Sequence, residues 1–195
     1  MLIEADRMTK ADASDGELIE RARSGDQEAF RMLVERYEPA VARTVVGMLG
    51  QTEEARDVGQ QVFIRFFRAC GDFRGDSSLK TYLTRIAINL SLNELKRRKR
   101  FRKRFVGLDY AERIPASVTT PFSDDVRLVR RAVAELDEPF RAVVQLRLIE
   151  GYSVKETAEI LEIPTGTVLS RLSRAQRKLA RRLSPILNPG RSHDQ

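Results

Sequence analysis

Thr167, Ser170, Arg171, Ser173, Arg174 and Arg177 crowd into eleven residues near the end of the chain. Short hydroxyl side chains can approach base edges, and arginine can pair with guanine or neutralise phosphate, so the mixture suits a DNA major groove. A solvated basic face or a protein contact is the plainer use of the same residues. A second set, Arg85, Asn89, Asn93 and Arg97, follows Thr81 at four-residue steps. Arginine and asparagine pair with guanine and adenine edges, although an ordinary exposed helix face has the same composition. The set runs into KRRKRFRKR (residues 96–104), eight basic residues in nine, for which a phosphate backbone is the natural counter-charge. Upstream, Phe73 and Arg74 lie in a loop bounded by Gly71 and Gly75. An aromatic there either stacks on an extruded base or folds back on its own core, and the residues alone favour the core.

Helices must position these groups. Ser153 and Glu156 have capping-box spacing, so a helix starts there, with Val154, Thr157, Ala158 and Leu161 inward. Ile163 precedes Pro164, which disfavours the helical basin at Ile163 and lets a new helix begin at the proline. That second helix turns Val168, Leu172 and Leu179 inward and leaves the hydroxyl and arginine set outside, as in a helix-turn-helix. The earlier set belongs to a long helix from Leu79 to about Arg104, whose apolar stripe is Leu79, Tyr82, Leu83, Ile86, Ala87 and Leu90.

Before it, Ser14 and Glu17 form another capping box, and Asp26 caps a helix carrying Phe30, Leu33, Val34, Tyr37, Val41 and Val45, which Gly47 and Gly50 end. A helix from Glu53 to Ala69 turns Val58, Val62, Phe63, Phe66 and Phe67 inward. The expected fold class is all-α: two small helical domains joined by a flexible linker, the second containing the helix-turn-helix. A disordered tail covers 1–14, the first domain 15–104, the linker 105–123, the second domain 124–187 and a closing tail 188–195. Pro115, Ser117, Thr119, Thr120 and Pro121 break helical patterning in the linker. Its nineteen residues reach at most ~65 Å, against a rise of ~34 Å for one turn of B-DNA, so both domains can sit on one duplex.

The formal charge of +7 points to a polyanion. It is unevenly placed: residues 1–63 carry a net −5 and residues 64–195 a net +12. An acidic front suits a basic protein partner and the basic remainder suits nucleic acid. Cys70 is the only cysteine and reads as a core thiol; His193 is the only histidine and lies in a polar tail. A His/Cys metal site is therefore not expected, and no cofactor is. The N-terminal residues lack a signal-peptide apolar run, and no stretch approaches membrane-spanning length, which places the chain in the cytoplasm. An enzyme would need clustered carboxylates or a nucleophile with a base. Asp124-Asp125 is explained as a helix start, and no phosphate-cradling Gly-x-x-x-x-Gly-Lys motif occurs. A stand-alone helix-turn-helix regulator is the alternative, but residues 1–104 show no strand alternation of the kind a receiver domain needs.

Three stretches resemble one family. FRGDSSLKTYLTRIAIN (residues 73–89) is similar to domain two of the extracytoplasmic-function (ECF) sigma factors, ARDVGQQVF (residues 55–63) to their A-x-D-x-x-Q-E-x-F run, and residues 136–179 to their domain four, with its E-G-x-S and P-x-G-T-V-x-S-R signatures. The resemblance spans nearly all of residues 15–187. It implies a promoter-specificity subunit of bacterial RNA polymerase, with no enzymatic activity of its own. Asp57, Gln60 and Gln61 would meet the polymerase core. Phe73, Arg74, Arg85, Asn89, Asn93 and Arg97 would open and read the −10 element. Thr167, Ser170, Arg171, Ser173, Arg174 and Arg177 would read the −35 element. An anti-sigma factor would control it. The chain departs from the family pattern where Gln61 replaces the usual glutamate, where Leu169 holds a position often basic, and where Tyr82 replaces tryptophan. Gly59 should also cost its helix ~1 kcal/mol relative to alanine.

Overall fold

The computed structural model describes residues 13–105 and 124–187, and every regular element among them is helical. The tail residues 1–12 and 188–195, and linker residues 106–123, lie outside the described residues. Helix α1 (Asp15–Arg23) begins at Ser14, whose side chain and Glu17 satisfy each other's backbone N–H groups. Helix α2 (Gln27–Leu49) is capped by the Asp26 carboxylate, which accepts from the Ala29 amide at 3.0 Å. Thr52 caps α3 (Glu53–Ala69) in the same way through Ala55. A short 3-10 turn (Cys70–Asp72) leads through a loop to α4 (Leu79–Phe105). Ser78 starts α4: its hydroxyl accepts from the Thr81 amide at 3.1 Å.

The second stretch holds α5 (Asp124–Ala134), then α6 (Glu138–Val144), which continues as a π-helical turn over Gln145–Ile149. Helices α7 (Val154–Leu161) and α8 (Thr165–Leu187) follow.

Apolar residues at three- and four-residue steps bring α1 to α4 around one core of Leu18, Leu33, Met48, Phe66, Leu83 and Ile88. Phe66 sits in its middle, stacked on Phe30 at 5.9 Å and edge-on to Tyr82 at 6.1 Å. Cys70 is buried beside it, and burial pushes its thiol above the usual range, consistent with a core role. Two expectations fail here. Gly47 does not end α2; the helix runs on to Leu49 and closes at Gly50, in the left-handed region at φ +78°. Phe67 faces out, 60% exposed and touching Phe30 only at its edge. Ala55, Val58, Val62 and Phe66 already fill the inward stripe of α3, and one residue further along is a rotation of ~100°.

The main core does not stop at α4. Ala142, Leu146, Tyr152 and Ile160 from the second stretch are buried in it. What remains separate is a small cluster of Val133, Leu136, Val144 and Ala175, flanked by Phe140 and Leu179.

Candidate nucleic-acid interface

The helix-turn-helix is built by its caps. Ser153 donates its backbone N–H to the Glu156 carboxylate at 2.8 Å, and Glu156 returns its amide to the Ser153 hydroxyl at 3.1 Å. These bonds hold the Glu156 carboxyl below its ordinary range. Helix α7 closes at Glu162, a non-glycine residue in the left-handed region at φ +53°. Pro164 then accepts the Thr167 and Val168 amides and launches α8. Val168 and Ala175 are fully buried, with Leu172 and Leu179 half-buried, so the inner face is as expected, joined by the buried Ile160 of α7.

Ser170, Ser173, Arg174 and Arg177 lie exposed on the opposite side of α8, whereas Thr167 and Arg171 are half-buried on its flank. The cations of this helix divide between two uses. Lys178 is held by Asp137 at 2.5 Å and sits 4.7 Å over the Phe140 ring, and Arg182 pairs with Glu135 at 3.1 Å. The Lys178 contact draws the Asp137 carboxyl below its usual range. Arg174 and Arg177 are exposed and make no ion pair among the described residues.

The four-residue row on α4 is not one face. Each step of four residues turns a helix ~40° past a full revolution, so Thr81 and Arg97 end up on different sides. Thr81 is 6% exposed and bonded to Ser78 at 2.9 Å, which removes it from any reading surface. Arg85 is half-buried, its Nε enclosed without a hydrogen-bond partner among the described residues. Asn89 and Asn93 are exposed. Arg97 is exposed too, but both its Nε and a terminal nitrogen are bound by Glu94 at 2.7 and 2.9 Å. Within the basic run, Arg98 turns inward. It bonds the Leu49 carbonyl at 3.2 Å and the Thr52 hydroxyl at 2.9 Å, locking α4 to the end of α2. Lys96, Lys99 and Arg100 stay exposed.

Phe73 folds inward, edge-on to Tyr82 at 5.0 Å and to Phe66 at 6.2 Å. Arg23 fixes its loop from below, donating to the Cys70 carbonyl at 2.9 Å and to the Phe73 carbonyl. Arg74 projects into solvent near Asp76 at 3.3 Å. Together Arg23, Gly71, Asp72, Phe73 and Arg74 border an open concavity. On α3, Asp57, Gln60 and Gln61 are all exposed. Gln60 lines a groove between α2 and α3 with Val34, Val46, Gly59 and Phe63, and a β-carbon on Gly59 would meet nothing within 4 Å.

Sequence reasoning missed the seam between the two stretches. The Tyr152 hydroxyl lies 2.8 Å from that of Thr84, and Lys80 sits 5.1 Å over the Tyr152 ring. Arg141, buried, donates to the Met48 carbonyl at 2.7 Å and to the Leu136 carbonyl at 3.1 Å. Gln145 donates to the Arg43 carbonyl at 3.2 Å and to Glu150 at 2.9 Å. A β-carbon on Gly47 would overlap the Gln145 amide, so this glycine is what lets Gln145 lie against α2. A glycine inside an uninterrupted helix pattern was the available signal. Burial in the seam pushes the Glu150 carboxyl up, against the opposing bonds from Gln145 and Thr44.

A helix-turn-helix with an open basic face, set beside a helix bearing exposed asparagines and a basic extension, defines a two-part helical DNA-binding protein. Two family models match these parts: Sigma-70 region 2 over residues 33–101 and Sigma-70, region 4 over residues 127–179. The chain is 34% identical over 184 residues to the RNA polymerase sigma-H factor of Pseudomonas aeruginosa, covering 89% of this chain and 95% of that one. It is 35% identical over 185 residues to the ECF RNA polymerase sigma-E factor of Escherichia coli, covering 89% and 96%. The chain belongs to the ECF RNA polymerase sigma factors, a family without enzymatic activity.

Among solved structures, CnrH in complex with the cytosolic domain of CnrY superimposes with a TM-score of 0.62 at 26% identity, over 89% of this chain and 96% of that one. RpoE of Bartonella quintana, solved with the anti-sigma factor NepR, shares the fold with a TM-score of 0.69 at 23% identity, over 80% and 96%. Among the described residues no helix is long and apolar enough to cross a membrane, and no three His, Cys, Asp or Glu side chains converge as metal ligands.

Proposed function

We propose that the chain joins bacterial RNA polymerase core enzyme in the cytoplasm and directs it to a dedicated class of promoters. Residues 15–104 act as the unit that binds polymerase and reads the −10 element, residues 105–123 as a linker and residues 124–187 as the unit that reads the −35 element. The carrying observation is the division of cations on α8: Lys178 and Arg182 stabilise the fold while, among the described residues, Arg174 and Arg177 stay unpaired beside Ser170 and Ser173 on the open face. That face enters the major groove at the −35 element, with Thr167 and Arg171 at its edges.

Asn89, Asn93 and the exposed cations of α4 serve the −10 element. The concavity around Phe73 and Arg74 receives an extruded base, with Phe73 as its floor. Arg85, half-buried with its Nε enclosed, stands at the margin of this set. Asp57, Gln60 and Gln61 face the polymerase along α3. An anti-sigma factor opposes these contacts, with the NepR complex of RpoE as a precedent for such a partner on this fold.

The test is reconstitution. Purified chain plus core polymerase should initiate at a promoter that core alone ignores, and Arg174→Ala should weaken promoter binding while leaving association with core intact. A chain that binds DNA by itself and never associates with core polymerase would overturn the proposal.

A further inference from the structure

Leu169 has no role in the polar reading of α8, yet it is 53% exposed. The helix already has its apolar stripe in Val168, Leu172, Ala175 and Leu179. Leu169 stands ~100° away from Val168, on the side where Ser170 and Ser173 are exposed. Three residues before it is Gly166, where an added β-carbon would meet nothing within 4 Å, and four residues after it is Ser173. This row of the helix surface is therefore low and carries no cation; the outward arginines begin at Arg174.

Two further features bring the row close to base edges. The amides of Thr167 and Val168 are satisfied by the Pro164 carbonyl, while Thr165 and Gly166, ahead of them, lie in the first turn, where helix N–H groups have no intrahelical acceptor. Such a terminus attracts a phosphate and aims the first turns of the helix into the groove. Ser170 donates its proton to the Thr167 carbonyl at 3.1 Å, which leaves its hydroxyl as an acceptor toward the groove. Leu169 offers neither donor nor acceptor. The C5-methyl of thymine is the apolar feature that the major groove presents.

We infer that Leu169 is a specificity residue that selects thymine at one position of the upstream promoter element by packing on its C5-methyl group. The inference rests on the −35 reading of α8 proposed above and adds to it the base class read at this point. Removing one buried methyl contact should cost roughly fourfold in binding.

Holoenzymes carrying wild-type chain or Leu169→Ala are each used to select from a duplex library randomised across the upstream element. Wild type should enrich thymine at a position where Leu169→Ala shows no preference, with the other positions unchanged. In the selected promoter, deoxyuridine in place of that thymidine should then lower wild-type binding roughly fourfold and leave Leu169→Ala unaffected. Identical base preferences in the two proteins, or equal wild-type binding to uridine and thymidine, would overturn the inference. Weakened association with core polymerase in Leu169→Ala, with base preference retained, would assign the side chain to a protein contact and overturn it too. If neither holoenzyme selects any sequence, the −35 reading itself falls and this inference with it. Alanine at an exposed helical position keeps the fold, so the variant remains informative.

Discussion

The two halves of the chain are stabilised differently. Helices α1 to α4 enclose a core of their own around Phe66. Among the described residues, the second half has a small separate cluster of Val133, Leu136, Val144 and Ala175, and places Ala142, Leu146, Tyr152 and Ile160 in the core of the first. The first half thus owns its stability, whereas the second borrows part of its burial from the seam. The buried polar groups of the seam fit this: Arg141, Gln145 and Thr84 bond across it, and bonds of this kind contribute only ~0.5–1.5 kcal/mol each over their bonds to water.

The largest expected effect tests the autonomy of the first half. Phe66→Ala should cost ~3–5 kcal/mol, read from the midpoint of urea unfolding, and should unfold both halves together. If the helix-turn-helix keeps its own transition in that variant, the second half is more self-sufficient than its four-residue cluster indicates.

The seam is next. Gly47→Ala alone gains ~1 kcal/mol of helix propensity but evicts the Gln145 amide. In a cycle with Gln145→Ala the two changes should couple by ~1–2 kcal/mol, since alanine is harmless once the amide is gone. Coupling near zero would mean that the halves are undocked in solution. Ser153→Ala should then cost ~1 kcal/mol through loss of the cap, measured by thermal melting. Helix α7 should fray first, visible in amide exchange at Glu156. Gly59→Ala is the counterpart of the seam glycine. With nothing near its β-carbon, it should stabilise the chain by up to ~1 kcal/mol, and a melt that falls instead would show that this position touches something.

The smallest effect is a pH dependence. Burial raises the Glu150 carboxyl above its ordinary 4.5. A raised acid contributes stability that is present below its unfolded value and lost as pH climbs through its folded value. Glu150→Gln should therefore gain on wild type as pH rises from 4.5 toward neutrality, in paired urea titrations. A constant difference would mean that the carboxyl is solvated and the seam open.

Much of this was legible in the sequence because it is local. Both capping boxes, the Asp26 cap and the Ile163-Pro164 break depend on neighbours within four residues, and each helix start follows from them. The open face of α8 was legible for the same reason, since its set from Thr167 to Arg177 spans only about three turns. The long α4 was harder. Over sixteen residues the four-residue row drifts from a buried Thr81 to an exposed Arg97, and whether a given residue is covered depends on which element lies beside it. Arg98 shows the same limit: nothing in a run of eight cations marks the one that turns back to bond Leu49 and Thr52.

By itself, the sequence determined the helices, their caps, the family and the open basic face of α8, because propensity, capping and periodicity act over one or two turns. The tertiary structure alone decided that Arg98, Lys178 and Arg182 are spent on the fold, and that α6 and α7 rest on α2 and α4. Those outcomes depend on groups 41 to 102 residues apart, such as Lys178 with Asp137 and Gln145 with Arg43. Such pairs are chosen by packing and by the need to satisfy buried polar groups, and no local pattern in the chain encodes them.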